Sequence, residues 1–316
     1  MQQIQLITIL SDGQFHSGED LGAAVGVSRA AVWKQIQKLA ELGVEVESVR
    51  GQGYRVLGGI DLIAPADIAV TRFDIELLSV TTSTNSLLMD QAQQGSIHLK
   101  AISADMQTHG RGRRGRAWIS PYASNMYLSV GWEFQSGAAA LSGLSLAVGV
   151  AVVEALSKLG VSGVGLKWPN DILHNGLKLG GILIEMGGDP SGDCHVVIGL
   201  GLNVHMAGAS SQAIDQPWTT CDKLTEKPLA RAKILSCLLD ALESMLETYE
   251  QHGFSAYHQQ WEQLHDYQNQ VVIITSGENK SSGVAQGVDG SGALIVETSL
   301  GRKLFHGGEV SVRRSK

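Results

Sequence analysis

Ten residues of this 316-residue chain concentrate groups suited to an anion: His109-Gly110-Arg111-Gly112-Arg113-Arg114-Gly115-Arg116-Ala117-Trp118. Glycine lets backbone approach a ligand closely and adopt positive φ, so that successive N–H groups converge on one concavity. Arginine adds fixed charge and forked donors matched to phosphate and carboxylate. The stretch reads as a loop that closes over a small anion and, having little to pack, moves when empty. Gly110-x-Gly112-x-x-Gly115 also has the spacing of a dinucleotide fingerprint, but that motif needs a helix opening at its end. Here Ala117-Trp118-Ile119-Ser120-Pro121 reads instead as a short strand stopped by proline. Arginine–glycine tracts that bind nucleic acid are long and low in complexity. This one is short and lies between strand-like runs at Lys100–Ala104 and Asn125–Phe134. Local features therefore favour a small-ligand site, with a solvated basic loop as the plain alternative.

Other polar clusters flank it. Ser83-Thr84-Asn85 follows a strand-like run, Ile75–Val80, and leads into a helix through Leu87, Leu88 and Ala92. Helix capping alone accounts for such a run, and its surplus of hydroxyls also suits a polar pocket rim. Gln107 precedes the arginine–glycine loop. Lys167-Trp168-Pro169-Asn170-Asp171 puts an ammonium, an indole, an amide and a carboxylate around a proline, which taken alone is a strand ending in a turn. Lys178 opens a hairpin at Gly176–Glu185, and another strand, Val196–Val204, holds Asn203 before a loop to Trp218.

Composition limits what these groups serve. The net charge of −7 argues against nucleic-acid binding by the whole surface, so any such contact is local. Three widely spaced cysteines, Cys194, Cys221 and Cys237, form no Cys-x-x-Cys pair and fit a reducing cytosol. No His-Glu-x-x-His run supports zinc, and Met1-Gln2-Gln3-Ile4 does not open a signal peptide. Ser136–Val153 is uncharged but rich in Gly, Ala and Ser. With Leu141, Leu144, Val148, Ala155 and Leu159 on one face, it reads as a buried helix from about Ala138 to Leu159 rather than a membrane span.

The first sixty residues have a different pattern. Ile4, Ile7 and Leu10 mark one short helix; Ser17-Gly18-Glu19-Asp20 resembles a capping box for a second through Leu21, Ala24 and Val25. Gly26-Val27-Ser28 is a turn, and a third helix runs from Arg29 to Leu42 with Val32, Ile36 and Leu39 inward and Gly43 ending it. That is helix-turn-helix spacing, and the third helix carries Arg29, Lys34 and Lys38 with no acid before Glu41. A hairpin through Arg50-Gly51-Gln52-Gly53 then forms a wing, with Arg50 and Arg55 placed for phosphates and Gly58-Gly59 as a hinge. A helical module that docks on protein is the alternative; the basic helix and wing favour DNA.

The tail starts with a helix from Pro228 to Tyr249, with Leu235, Leu238, Leu239 and Leu246 inward, and a shorter one to about His265. Short strands at Val271–Thr275, Gly283–Val288, Ala293–Glu297 and Lys303–His306 suggest a small β-barrel.

Taken in order, Ser83-Thr84-Asn85, Gly110–Gly115, Lys167–Asp171 and Lys178-x-x-Gly181 behind a winged domain resemble the biotin–protein ligases, in the bifunctional bacterial form that also represses the biotin operon. The resemblance implies an α+β chain: a winged helix-turn-helix domain at 1–59, a central mixed α/β ligase domain of the class II synthetase-like type at 65–266, and an SH3-like barrel at 267–316. It implies activation of biotin with ATP to biotinyl-5′-adenylate and transfer to a lysine of the biotin carboxyl carrier protein of acetyl-CoA carboxylase. Implied biotin contacts are Ser83, Thr84, Asn85, Gln107, Arg111, Gly112, Arg113 and Lys178, with Arg113 and Lys178 catalytic. Trp118, Lys167, Asn170, Asp171, Asn203 and Trp218 are implied at the nucleotide, with Lys167, Asn170 and Asp171 positioning it or a magnesium ion; Mg2+ is an implied cofactor, with no dedicated metal site. Operator DNA is the second partner, read by Arg29, Lys34, Lys38, Arg50 and Arg55. A homodimer is expected when the adenylate orders the loop at His109–Trp118 and the loop before Trp218. Gly180 stands where Ala or Cys is expected, a change expected to loosen a turn. A lipoate-type ligase and a ligand-sensing repressor without transferase activity are the competing readings; the arginine–glycine loop and Lys178 argue against them.

Overall fold

Three short helices begin the chain: α1 (Gln2–Leu10), α2 (Gly18–Val25) and α3 (Arg29–Glu41). The description, from a computed structural model, covers residues 2–315 except 136, 138–140, 189–193, 207–213 and 308–309. Ser17 caps α2 by accepting from the Asp20 backbone N–H, and Ser28 caps α3 through Ala31 in the same way. α1 buries Ile7 and Leu10 as expected, but Leu6 takes the third inward place and Ile4 is nearly half exposed. Ala24 of α2 is likewise exposed, while Leu21 and Val25 are buried. Strands β1 (Glu47–Val49) and β2 (Gly53–Arg55) form the wing hairpin.

The expected hinge is tied down. Ser11 O accepts from Ile60 N at 3.0 Å, and Gly13 lies so close to Gly59 that a Cβ on it would stand 2.9 Å from the Gly59 nitrogen. The apolar core of the first domain continues through Ile60 and Leu62 to Tyr122, Ala123 and Met106 of the next.

The central unit is built on β3 (Asp74–Thr81), β4 (Lys100–Gln107), β5 (Asn125–Phe134), β6 (Val164–Lys167), β7 (Asp171–His174), β8 (Leu177–Gly188) and β9 (Cys194–Asn203). They form one sheet in the order β3-β4-β5-β9-β8-β7-β6. Only β3 and β4 run parallel, and the crossover such a pair needs is α4 (Thr84–Ala92). β5 is buried along nearly its whole length because both faces are covered. On one face α4 packs Leu88 against Ile97, Ile102 and Val197. On the other lie α5 (Leu144–Lys158) and α6 (Arg231–His252).

α5 is the uncharged stretch in its expected role as a core helix. It begins at Leu144 after Gly143, whose φ of 81° caps it; residues 138–140, where the expected start fell, lie outside the described residues. No helix among the described residues is long and apolar enough to cross a membrane. α6 starts at Arg231 rather than Pro228, and α7 (His258–Leu264) follows. Leu235, Leu238, Leu239 and Leu246 are all buried in α6, as their spacing requires.

The tail forms a five-stranded antiparallel sheet, β10 (Val271–Ser276), β11 (Asn279–Val288), β12 (Leu294–Thr298), β13 (Gly301–Phe305) and β14 (Val310–Arg314), in the order β13-β12-β11-β10-β14. The last strand escaped the sequence reading. A bulge between Ala285 and Val288 bends β11. Trp168, almost fully buried, donates its indole N–H to Gly292 O at 3.0 Å and so joins this sheet to the central one.

Candidate active site

The cleft lies on the α4 face of the central sheet. Side chains alternate along a strand, so Gly199 and Gly201 of β9 share that face with Gly181 and Leu183 of β8, their cross-strand partners. Three glycines thus leave an open floor. A Cβ on Gly201 would stand 2.4 Å from the Trp118 ring, and one on Gly199 would stand 2.1 Å from Asn85 Oδ1. Neither glycine has positive φ; each is required by close approach from above.

At one end, α4 presents its first turn. Ser83 caps it, Thr84 N donates to Gln107 Oε1 at 2.9 Å, and Gln107 Nε2 donates to Ser120 Oγ at 3.1 Å. Ser129 Oγ lies 2.7 Å from Thr84 Oγ1 and 2.6 Å from Asn85 Oδ1. Ser83, Thr84, Asn85 and Ser129 are all buried, so these bonds fix their orientation before any ligand arrives.

The arginine–glycine loop folds over this floor. It closes on itself through Gly112 N to Arg116 O and Trp118 N to Gly110 O, both 2.8 Å, around a single bridge between Arg111 and Ala117. The strand expected at Ala117–Pro121 is only that bridge, because Trp118 turns down onto the glycine floor. Positive φ falls on Arg114 (60°) and Gly115 (69°), not on Gly110 or Gly112. Gly110 is needed for room: a Cβ there would meet Trp118 O at 2.4 Å. Arg111 donates to Glu185 Oε2 at 2.7 Å, and Arg113 donates to Asn170 Oδ1 at 3.1 Å.

The far wall comes from the β6–β7 hairpin and β8. Asp171 Oδ1 accepts from Lys178 Nζ at 2.6 Å and Oδ2 from Lys167 Nζ at 3.0 Å. Burial alone would push this carboxyl up; the ammonium groups of Lys178 and Lys167 outweigh burial and hold it below the usual carboxylate range. Lys178 is gripped through its backbone as well, its N–H donating to Pro217 O at 3.0 Å and its carbonyl accepting from Thr219 N at 2.9 Å. Gly180 lies not in a turn but within paired β8, opposite Leu202 and beside the bulge between Ile172 and Leu173, so it loosens no turn.

These walls line one continuous cleft that opens to solvent. Ser83, Thr84, Asn85, Gln107, Arg111, Gly112, Arg113 and Lys178 line it, with Trp118, Lys167, Asn170 and Asp171. Asn203 and Trp218 lie in an adjoining pocket that shares Arg116, Trp118, Lys178 and Gln216 with it. Asn203 is buried and its amide donates to Lys178 O and Thr219 O, so it holds the wall in place. Lys223 lies over the Trp218 ring at 5.1 Å. Residues 207–213, the middle of the loop before Trp218, lie outside the described residues.

Several residues of the cleft went unseen in the sequence. Val310, Ser311 and Val312 of β14 form one wall, and Gln216 lies on another. Only the alternation within β5 and β9 could have pointed to Ser129 and the glycine floor. The chemistry open to this cleft is recognition of an anion or two: five of its cations, Arg111, Arg113, Arg116, Lys167 and Lys178, face one carboxylate among the described lining residues, Asp171.

The basic face of α3 is also as expected, with Arg29, Lys34 and Lys38 exposed. Arg50 is exposed at the wing tip. Arg55, on the second strand of the wing, donates to Glu47 at 2.7 Å and stacks over the Phe15 ring at 4.3 Å. Trp33, about half exposed on the same face of α3, was not singled out.

Residues 77–203 match the biotin/lipoate A/B protein ligase family, residues 2–55 a helix-turn-helix domain, and residues 269–313 the biotin protein ligase C terminal domain. The chain is 38% identical to the bifunctional ligase/repressor BirA of Escherichia coli over 99% of its own length and 98% of that protein's. It is 29% identical to the protein of the same description from Bacillus subtilis, over 95% of this chain and 94% of that one. Among solved structures, the biotin protein ligase of Aquifex aeolicus in complex with biotin and ATP superposes with a TM-score of 0.67 at 29% identity, covering 76% of this chain and 99% of that one.

Proposed function

The chain belongs to the biotin/lipoate A/B protein ligase family, in its branch with an N-terminal helix-turn-helix domain, and from that membership we propose how its cleft works. It is a biotin ligase with a DNA-binding repressor domain; biotin and ATP are its small substrates. A biotin carboxyl carrier protein and DNA are its macromolecular partners.

In the first step a carboxylate oxygen of biotin bonds to the α-phosphorus of ATP, the bond to the β-phosphate oxygen breaks, and pyrophosphate leaves. Two anions must meet, so fixed cations are what lowers the barrier. The polar end at Ser83, Thr84, Asn85 and Gln107 receives biotin, with Arg111 and Gly112 above it. Arg113 and Lys178 neutralise the carboxylate and the phosphate as electrostatic groups. Lys167, Asn170 and Asp171 align the nucleotide, whose base lies toward Trp118 and Trp218. In the second step a carrier lysine amine attacks the acyl carbon and AMP leaves; the chain need supply no covalent nucleophile.

Mg2+ would enter with the nucleotide. Among the described residues Asp171 is the one carboxylate of the lining, and no group of three or more His, Cys, Asp or Glu could cage a metal. That donor set fits an ion held by phosphates and water with Asp171 nearby, where it would offset phosphate charge.

We assign residues 1–59 to the DNA-binding domain, 65–266 to the ligase domain and 267–316 to the C-terminal domain. Adenylate that orders the arginine–glycine loop and the loop before Trp218 would favour pairing of two central domains, and two DNA-binding domains would then span paired half-sites.

The observation that carries this reading is the Lys178–Asp171–Lys167 bridge facing Arg113 across a cleft whose other end is the buried Ser83–Asn85 turn. A repressor that only sensed biotin would not need the bridge. Incubation with ATP, labelled biotin and a biotin carboxyl carrier domain tests it; a carrier left unlabelled would remove the ligase reading. Sedimentation with and without a non-hydrolysable adenylate analogue tests the dimer, and an unchanged monomer–dimer constant would remove it.

A further inference from the structure

Glu185 is the only acid in β8, and alternation puts it on the cleft face two and four residues beyond Leu183 and Gly181. It does not line the cleft itself. Its Oε2 accepts from Arg111 at 2.7 Å and from Asn85 Nδ2 at 2.9 Å. One oxygen thereby ties the arginine–glycine loop, the first turn of α4 and the sheet together.

The bond to Asn85 sets which way its amide faces. Asn85 Nδ2 has two acceptors, Glu185 and, more distantly, Leu183 O at 3.3 Å. With the nitrogen held there, Oδ1 is turned to Ser129 Oγ over Gly199. The bond to Arg111 is charge-assisted and uses one nitrogen of the fork, leaving the rest of the guanidinium to face the cleft. A surface ion pair of this length would ordinarily count for little. Here the acid is only 26% exposed and its second donor, Asn85, is buried.

We infer that Glu185 is a positioning residue for biotin: without touching the substrate, it orients Arg111 and Asn85 at the biotin end and so sets biotin affinity while leaving the nucleotide end unaffected. The inference rests on the assignment of that end of the cleft to biotin.

The test uses the full chain and biotin-dependent ATP–pyrophosphate exchange. Glu185→Ala should raise the KM for biotin about tenfold, with kcat and the KM for ATP within about twofold of the parent. Glu185→Gln keeps an acceptor oxygen and should raise it about threefold. In an Arg111→Ala background, Glu185→Gln should add less than about twofold, because the charge it removes no longer has its partner. An unchanged biotin KM, an equal rise in the KM for ATP, or full additivity with Arg111→Ala would overturn the proposal. If Glu185→Ala melts below the assay temperature, Glu185→Gln and the Arg111 cycle decide it alone. If the parent catalyses no exchange, the ligase reading fails, and calorimetric titration of the same variants with biotin decides the role of Glu185 separately.

Discussion

The ammonium of Lys178 stands 2.6 Å from a carboxylate oxygen of Asp171, seven residues earlier, across the β7–β8 hairpin. Because Asp171 grips Lys167 with its other oxygen, one half-buried acid aims two cations into the cleft. Lys178→Ala should leave the fold intact by circular dichroism and lower the rate of adenylate synthesis over about a hundredfold, a loss of ~3 kcal/mol in transition-state stabilisation. Near-normal pyrophosphate release would show that this lysine does not act on the reacting anions.

Arg113 crosses from the loop to Asn170 on the opposite hairpin. Arg113→Gly removes both that cross-tie and a charge over the reactive anhydride. Adenylate should then escape, and bystander lysines in an added unrelated protein should be biotinylated more than by the parent. Labelling still confined to the carrier would mean that Arg113 does not retain the intermediate.

The glycine floor gives a steric prediction. A methyl at Gly199 would lie 2.1 Å from Asn85 Oδ1, where the buried amide meets Ser129. Gly199→Ala should displace Asn85, raise the KM for biotin about tenfold and destabilise the protein by about 1–3 kcal/mol. Unaltered biotin affinity, with a normal melting curve, would place the biotin end elsewhere in the cleft.

Removal of residues 1–59 should end DNA footprinting and retain part of the ligase activity. It also strips the apolar cover from Tyr122, Ala123 and Leu62, so the truncated chain should melt several degrees lower than the parent. A truncated chain that still protects DNA would move the DNA site away from α3 and the wing.

His205 joins the linker to the loop after β9. Its Nδ1 meets Asp222 at 2.6 Å and its Nε2 meets Asp61 at 3.0 Å. Asp61 also accepts from Arg231 N, and the buried Arg231 guanidinium reaches Asp61 O and Asp105. Burial alone would lower the imidazole pKa; hydrogen bonds to Asp61 and Asp222 outweigh it and raise it above its ordinary 6.5. A raised folded pKa means stabilisation that is complete below 6.5 and is lost as pH rises through the folded value. The melting temperature of the parent should therefore fall on going from pH 6.5 into the alkaline range, and His205→Ala should flatten that slope. An identical slope in the variant would show that the pair of carboxylates does not stabilise the imidazolium.

Much of this protein is written locally. Ser17 and Ser28 cap their helices within three residues, the heptad-like stripe of α6 is read from Leu235 to Leu246, and the β5 run from Asn125 to Phe134 was legible to the residue. Three polar stretches of the cleft were legible for the same reason: Ser83–Asn85, Gly110–Gly115 and Lys167–Asp171 are each unusual within a few positions, and their order carries the family resemblance. What the sequence could not decide is which strands are neighbours. β9 enters the sheet between β5 and β8, and only that placement brings Gly199 under Asn85 and Glu185 within reach of Arg111, seventy-four residues away. Likewise Val310–Val312 reach the cleft because the C-terminal sheet packs into the main core, with the bond from buried Trp168 to Gly292 as one of its ties. The two-residue alternation of a strand tells which side chains share a face, but burial of both sheet faces, not any local signal, selects the partner strand and therefore the contacts across it.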